Sequence, residues 1–190
     1  MNQGEALTCT LPMKLFWILV RWGTAAVLVL CVLGLLALYA ASRGCTVRND
    51  GFEDGLKGWS AFRITGKELK IEGAVSESER HSGSRSFHIS NQEPRRPHIY
   101  GTLSQKVWFV LPYHTYTVRF WVKGKDVKLG ACEVATHPRW INPQQVPEGT
   151  YDWTEVTFTF DTRHRMFVPL RIISEGEGSV WIDDISISGP

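Results

Sequence analysis

At 190 residues the chain has room for one ordinary domain plus an appendage. Its 43% hydrophobic and 21% charged content is that of a folded globular protein. A formal net charge of +2 argues against a nucleic-acid binder, which usually shows a concentrated basic face.

Residues 1–21 form a short N-terminal region that carries Lys14 and Arg21. From Trp22 to Ser42 there is no charged residue. A run of about 20 apolar residues is enough to cross a hydrocarbon core as a helix. Trp17, Trp22 and Tyr39 stand where interfacial aromatics sit. Because the run is apolar on every side, it does not read as a core helix. Residues 22–42 are therefore expected to be a transmembrane or signal-anchor helix, with the remainder extracytoplasmic at the cell surface or periplasmic face. Arg43 follows the run, so charge favours a cytoplasmic N-terminus only weakly. Two processing routes compete: cleavage near Ala40-Ala41-Ser42, giving a secreted chain, and lipid attachment at Cys45 within Ser42-Arg43-Gly44-Cys45. Of the four cysteines, Cys9 precedes the apolar run and Cys31 lies in it. That leaves either a Cys45–Cys132 bridge or a buried neutral Cys132.

After residue 45 the pattern changes to short runs that alternate apolar and polar residues, split by Gly, Pro, Asn and Asp. Strands are expected over 58–64, 69–74, 86–90, 99–110, 115–123, 127–136, 152–160, 168–173 and 180–187. In the clearest of these, Val118, Phe120 and Val122 share one side and Arg119, Trp121 and Lys123 the other. Gly124-Lys125-Asp126 reads as a tight hairpin, and Glu175-Gly176-Glu177-Gly178 as a second. Residues 92–97 and 137–149 are the longer loops. About nine short strands with regular turn signals indicate an all-β sandwich over residues 46–190.

Catalytic signatures are missing from this pattern. The six histidines, His81, His88, His98, His114, His137 and His164, have no helical zinc spacing. There is no Gly-x-Ser-x-Gly elbow and no phosphate-binding glycine loop. Glycoside hydrolysis needs two carboxylates flanking a bond, and Glu133 with Glu155 or Asp161 is the pairing that could be imagined.

Several motifs fall in an order that can be compared with known families. Asn49-Asp50-Gly51-Phe52-Glu53-Asp54-Gly55 is followed by Gly58-Trp59, then His81-Ser82-Gly83-Ser84-Arg85-Ser86. Tyr116 to Lys123, Tyr151-Asp152-Trp153-Thr154 and Val180-Trp181-Ile182-Asp183-Asp184-Ile185-Ser186 complete the series. This series resembles carbohydrate-binding modules of families 4, 9 and 22 over residues 47–188. The resemblance implies a galactose-binding-like jelly-roll sandwich. It also implies a structural Ca²⁺ site in which Glu53 and Asp183 meet the turn carrying His81 and Arg85. Strand alternation puts Asp183 on the side of Trp181 and Ile185, with Ile182 and Asp184 on the other, so one aspartate faces inward; an unpartnered buried carboxylate would be costly.

For the ligand, sugars in such modules stack on aromatic rings and bond to polar side chains. Trp121 and Arg119 on one strand, Tyr100 and Gln105 on another, Glu133, and Trp140 in its Pro-rich loop are the candidates. The expected function is a membrane-tethered, non-catalytic module that binds polysaccharide or glycan, with a glycoside hydrolase as a natural partner. The alternatives are a surface protein-interaction or adhesion domain on the same fold, and a small hydrolase.

Overall fold

In a computed structural model, the described residues are 13–42, 46–136 and 143–189. They form two compact units, divided after Ala40. The first unit is built on helix α1 (Met13–Ser42), which begins well before the expected 22–42 segment. Its side chains are described continuously over residues 21–37, where Leu28, Leu30, Leu33 and Leu35 are exposed. Among the described residues no helix is long and apolar enough to cross a membrane.

The second unit is a sandwich of two five-stranded sheets, antiparallel at every pairing. The first sheet has the order β1 (Arg63–Thr65), β4 (Tyr100–Trp108), β9 (Phe167–Ser174), β6 (Cys132–Ala135), β7 (Gln144–Gln145). The second has the order β2 (Ile71–Ser76), β3 (Ser86–Asn91), β10 (Gly178–Ser188), β5 (Thr115–Val127), β8 (Gly149–Asp161). Alternation along each strand sends one set of side chains inward. Leu103, Val107, Val134, Leu170 and Ile172 from the first sheet share one buried core with Phe87, Ile89, Val118, Phe120, Val122, Val180 and Ile182 from the second.

Residues 46–59 close the core without joining a sheet. Asn49 organises this segment: its Nδ2 donates to the Gly55 and Lys57 carbonyls, and its Oδ1 accepts from Asp54 N–H. Trp59 Nε1 donates to the Asn49 carbonyl at 3.1 Å. These bonds hold Phe52 fully buried, stacked on Trp59 at 5.1 Å and on Phe87 at 5.4 Å between ring centres. They also confine the expected strand over 58–64 to β1, because Trp59 is committed to the loop.

Five further expectations are corrected. Gly124-Lys125-Asp126 is not a hairpin: β5 runs through it, with register shifts at Val122/Gly124 and Gly124/Val127. Gly124 is required there because a Cβ would lie 2.4 Å from the Tyr151 ring, and Asp126 takes up the bulge at φ 54°. Residues 175–178 join β9 to β10 across the two sheets instead of closing a hairpin. The expected loop 137–149 contains the short strand β7, and the expected strand 127–136 shortens to β6 behind a turn closed by Ala131 N–H to the Lys128 carbonyl. Alternation also fails in β10, where Ile182, Asp183 and Ile185 are all buried while Trp181 faces outward. A register shift between Asp183 and Ser186, with Asp184 at φ 47°, breaks the period of two.

Cys132 is a buried free thiol whose pKa burial pushes up to about 12. Cys45, its expected partner, lies outside the described residues.

Truncating Phe52 should be costly because its neighbours on both ring faces are fixed. Phe52→Ala is expected to lower stability by about 3–5 kcal/mol in urea denaturation. A loss below about 1 kcal/mol would show that the 46–59 segment packs independently of the core.

Candidate functional site

The outer surface of the first sheet is assembled by register. Directly opposed residues in antiparallel strands project to the same side. Pairings Arg63↔Thr102, Thr102↔Ile173, Ile173↔Glu133 and Glu133↔Gln145 therefore lay one continuous row across all five strands. Parallel to it, Thr65 opposes Tyr100, and Ser104 opposes Arg171. Gly101, Leu103, Gln105 and Val107 are the buried set of β4, which leaves Tyr100, Thr102 and Ser104 facing out. Ser60, Arg63, Thr65, Tyr100, Thr102, Ser104 and Arg171 line a cleft on this face.

At the far side of the row, Arg95 donates twice to Glu175 Oε2, at 3.0 and 2.7 Å. Glu133 is 4% exposed. Burial, and then the Glu175 carboxylate, raise its pKa, while Arg95 opposes the rise. Thr102 Oγ1 is buried without a hydrogen-bond partner, beside the fully buried Ile173 at the middle of the row. A buried hydroxyl left unpaired is costly, and such atoms are rare in folded proteins.

The outer surface of the second sheet is different in kind. Trp121 faces out as alternation requires, but its ring is stacked on His81 at 3.9 Å and 10°, with Trp153 edge-on to His81 at 5.8 Å. Trp181 is covered in the same way by His88, at 4.3 Å and 10°. Lys123 bridges Glu79 at 3.0 Å and Asp152 at 3.3 Å. Arg119 is exposed beside them.

The expected ligand residues are thus not brought together. Tyr100 and Glu133 lie on the first sheet, and Trp121 and Arg119 lie on the opposite side of the sandwich. Gln105 is corrected to a structural residue: it is 5% exposed, accepts from Arg48 N–H at 2.7 Å and donates to the Arg48 carbonyl at 2.8 Å. Trp140 lies outside the described residues. The signal for Gln105 was present in the sequence, since it is in phase with Leu103 and Val107. Arg63, Thr102, Arg171 and Gln145 were missed. Arg171 alone gave a hint, as the single charge within Val168–Ile173.

Glu53, Asp183, His81 and Arg85, the expected metal residues, do converge. Asp183 is fully buried; its Oδ2 accepts from His81 N–H at 2.9 Å and Ser82 N–H at 3.2 Å, and its Oδ1 from Asp184 N–H at 2.8 Å. Burial raises its pKa against the pull of these amides. Glu53 accepts from Ser84 N–H, Ser84 Oγ–H and Arg85 N–H, which together lower its pKa. Asp184 receives Ser82 Oγ–H at 2.7 Å and pairs with His81 Nδ1 at 2.6 Å.

The carboxylates also crowd the space beside Gly51. A Cβ there would stand 3.3 Å from Asp183 Oδ1 and 3.5 Å from Asp184 Oδ1. Oxygen donors gathered where no side chain stands are of the type that suits a hard cation. Among the described residues, no group of three or more His, Cys, Asp or Glu side chains is placed to hold a metal ion.

Fold and site define a two-sheet antiparallel β-sandwich with one polar, aromatic-bearing sheet face. The chain matches the carbohydrate binding domain family (CBM_4_9) over residues 45–175, and it belongs to that family. No curated protein matches it.

Among solved structures it is similar to the enzymatically active domain of bacteriophage CBA120 tailspike protein 4, with TM-score 0.57 and 13% identity. That match covers 76% of this chain and 21% of the tailspike chain, so this chain spans about a fifth of that protein. A CBM4 structure gives TM-score 0.52 at 19% identity over 76% of this chain and 99% of the other. A family 16 carbohydrate binding module gives 0.51 at 20% over 74% and 97%. At these identities the likeness concerns the fold.

The turn that meets the carboxylates depends on Gly83. It sits at φ 58°, and a Cβ would fall 2.2 Å from Glu53 Oε1. Gly83→Ala should therefore lower stability by about 1–3 kcal/mol in denaturant titration, and an unchanged midpoint would mean that Glu53 swings clear at no cost.

Proposed function

We propose that the outer face of the β1-β4-β9-β6-β7 sheet binds a polysaccharide or glycan without chemical change. Tyr100 offers a ring for the apolar face of a sugar. Arg63, Ser104, Arg171 and Gln145 offer donors and acceptors to its hydroxyls. The observation that carries this reading is the cleft on this face, lined by Ser60, Arg63, Thr65, Tyr100, Thr102, Ser104 and Arg171. Trp121 and Trp181 are not assigned to the site, because histidines already occupy a face of each ring. The carboxylates that a hydrolytic pair would need lie apart: Glu133 is on β6 of the first sheet, and Glu155 and Asp161 are on β8 of the second.

Three finer elements complete the proposal. The uncharged stretch from Trp22 to Ser42, with its exposed leucines, would tether the domain to a membrane and leave it extracytoplasmic. A calcium ion would be held by Glu53, Asp183 and carbonyl oxygens of the 81–85 turn, where it would offset crowded carboxylates and stiffen the scaffold. Arg85 could contribute only its carbonyl, since its amide and guanidinium both donate to Glu53. A glycoside hydrolase is the natural partner, because such modules bring catalytic domains to polysaccharide.

A glycan and polysaccharide panel tests the central reading. Binding is expected, and Tyr100→Ala or Arg171→Met should weaken it by roughly tenfold or more in protein that remains folded. Silence across the panel from folded protein would favour a protein-interaction domain instead. For calcium, EDTA should lower the melting temperature; an unshifted transition would leave the hydrogen bonds of the 81–85 turn as the sole clamp.

A further inference from the structure

One end of the sandwich exposes large apolar side chains that the glycan reading does not use. Trp108 is 48% exposed, Phe109 54%, Met166 47% and Tyr113 81%. They stand on two loops, residues 108–114 and 161–167, that are zipped together. Phe109 N–H donates to the Met166 carbonyl at 3.0 Å, Tyr113 N–H to the Arg163 carbonyl, and His114 N–H to Thr162 Oγ1 at 3.0 Å. Thr162 is buried; its hydroxyl donates to the Leu111 carbonyl at 2.6 Å, and the Tyr116 hydroxyl accepts from Leu111 N–H at 2.8 Å. Phe109 and Tyr113 are fixed in the left-handed region, at φ 66° and 59°. The exposed rings are therefore presented by a braced platform, and their exposure does not come from a loose loop.

The platform is also cationic. Lys106 Nζ lies 4.5 Å from the centre of the Trp108 ring and 4.3 Å from that of Phe167. Arg163 is exposed on the next loop. The acidic residue on these two loops, Asp161, accepts from Thr115 Oγ1. Exposed Trp, Tyr and Phe side chains edged by Lys and Arg match the membrane interface, where amphipathic rings sit at headgroup depth and cations meet anionic lipid.

We propose that this end of the sandwich, led by Trp108, Phe109 and Tyr113 and edged by Lys106 and Arg163, rests on the headgroups of an anionic membrane. The proposal rests on the tether reading and adds a second contact. Docking of this end would hold the polar sheet face in a fixed attitude to the bilayer, in place of a domain that swings on its tether.

The test uses the full chain in vesicles of phosphatidylcholine and phosphatidylglycerol, with a photo-reactive benzoylphenylalanine replacing either Tyr113 or Leu129. Leu129 is 74% exposed and follows the far end of β5, roughly 40 Å along the strand from Thr115. Alkaline carbonate extraction, run on the same vesicles, reports the tether separately. Phospholipid adducts are expected at position 113 at roughly tenfold the yield at position 129. The pair Lys106→Glu and Arg163→Glu should reduce them by a similar factor.

Equal yields at the two positions in carbonate-resistant protein would overturn the docking and leave the tether standing. Strong adducts at position 113 in carbonate-extractable protein would uphold the docking and remove the tether. Protein that neither resists carbonate nor forms adducts would overturn both.

Discussion

Three carboxylates gathered on one turn hold the sandwich together. Asp183 is buried in the last strand, and Glu53 precedes the first; residues 81–85 reach both with backbone amides. A buried carboxylate is tolerated only when its lone pairs are met. The bulge after Asp183, the left-handed residue at Asp184 and the left-handed Gly83 all follow from that need. These bonds tie the 46–59 segment and the turn before β3 to the final strand. Phe52 can then fill the core between Trp59 and Phe87.

The same turn decides what each side of the molecule can do. His81 bonds to Asp184 and lays its ring on Trp121, so the clamp that secures Asp183 also covers a tryptophan that alternation turns outward. The second sheet's outer surface is finished by stacked Trp–His pairs and by Lys123 bridging two acids. The first sheet keeps a cleft on its outer face, lined by Arg63, Thr65, Tyr100, Ser104 and Arg171. A membership in the carbohydrate-binding domain family is consistent with that division, because a flat polar face beside an aromatic ring is what a sugar chain can lie on.

Much of this fold was legible in the residues themselves. Period-two alternation gave β5, β8, β9 and β10 close to their observed positions, and the motif order from Asn49 to Ser186 gave the family. Alternation failed where the chain departs from a flat ladder. Gly124 was taken for a turn residue, when it is in fact a strand residue vacated for the Tyr151 ring. Asp183 was placed by a period that the following bulge interrupts. In both cases the cause is a side chain or strand distant in sequence, which local pattern does not contain.

The residues by themselves determined that this is an all-β sandwich behind an apolar N-terminal stretch, through composition and short-range periodicity; the family resemblance implied that Glu53, His81 and Asp183 belong together. Only the tertiary structure decided that Tyr100 and Glu133 face one way and Trp121 the other, that Gln105 is an internal strut, and that Arg63 and Gln145 complete a row with Thr102. Strand order and register set these neighbours: Arg63 and Gln145 sit at opposite edges of a sheet whose five strands come from across the chain. A single residue's slip in pairing would send every one of them to the other face.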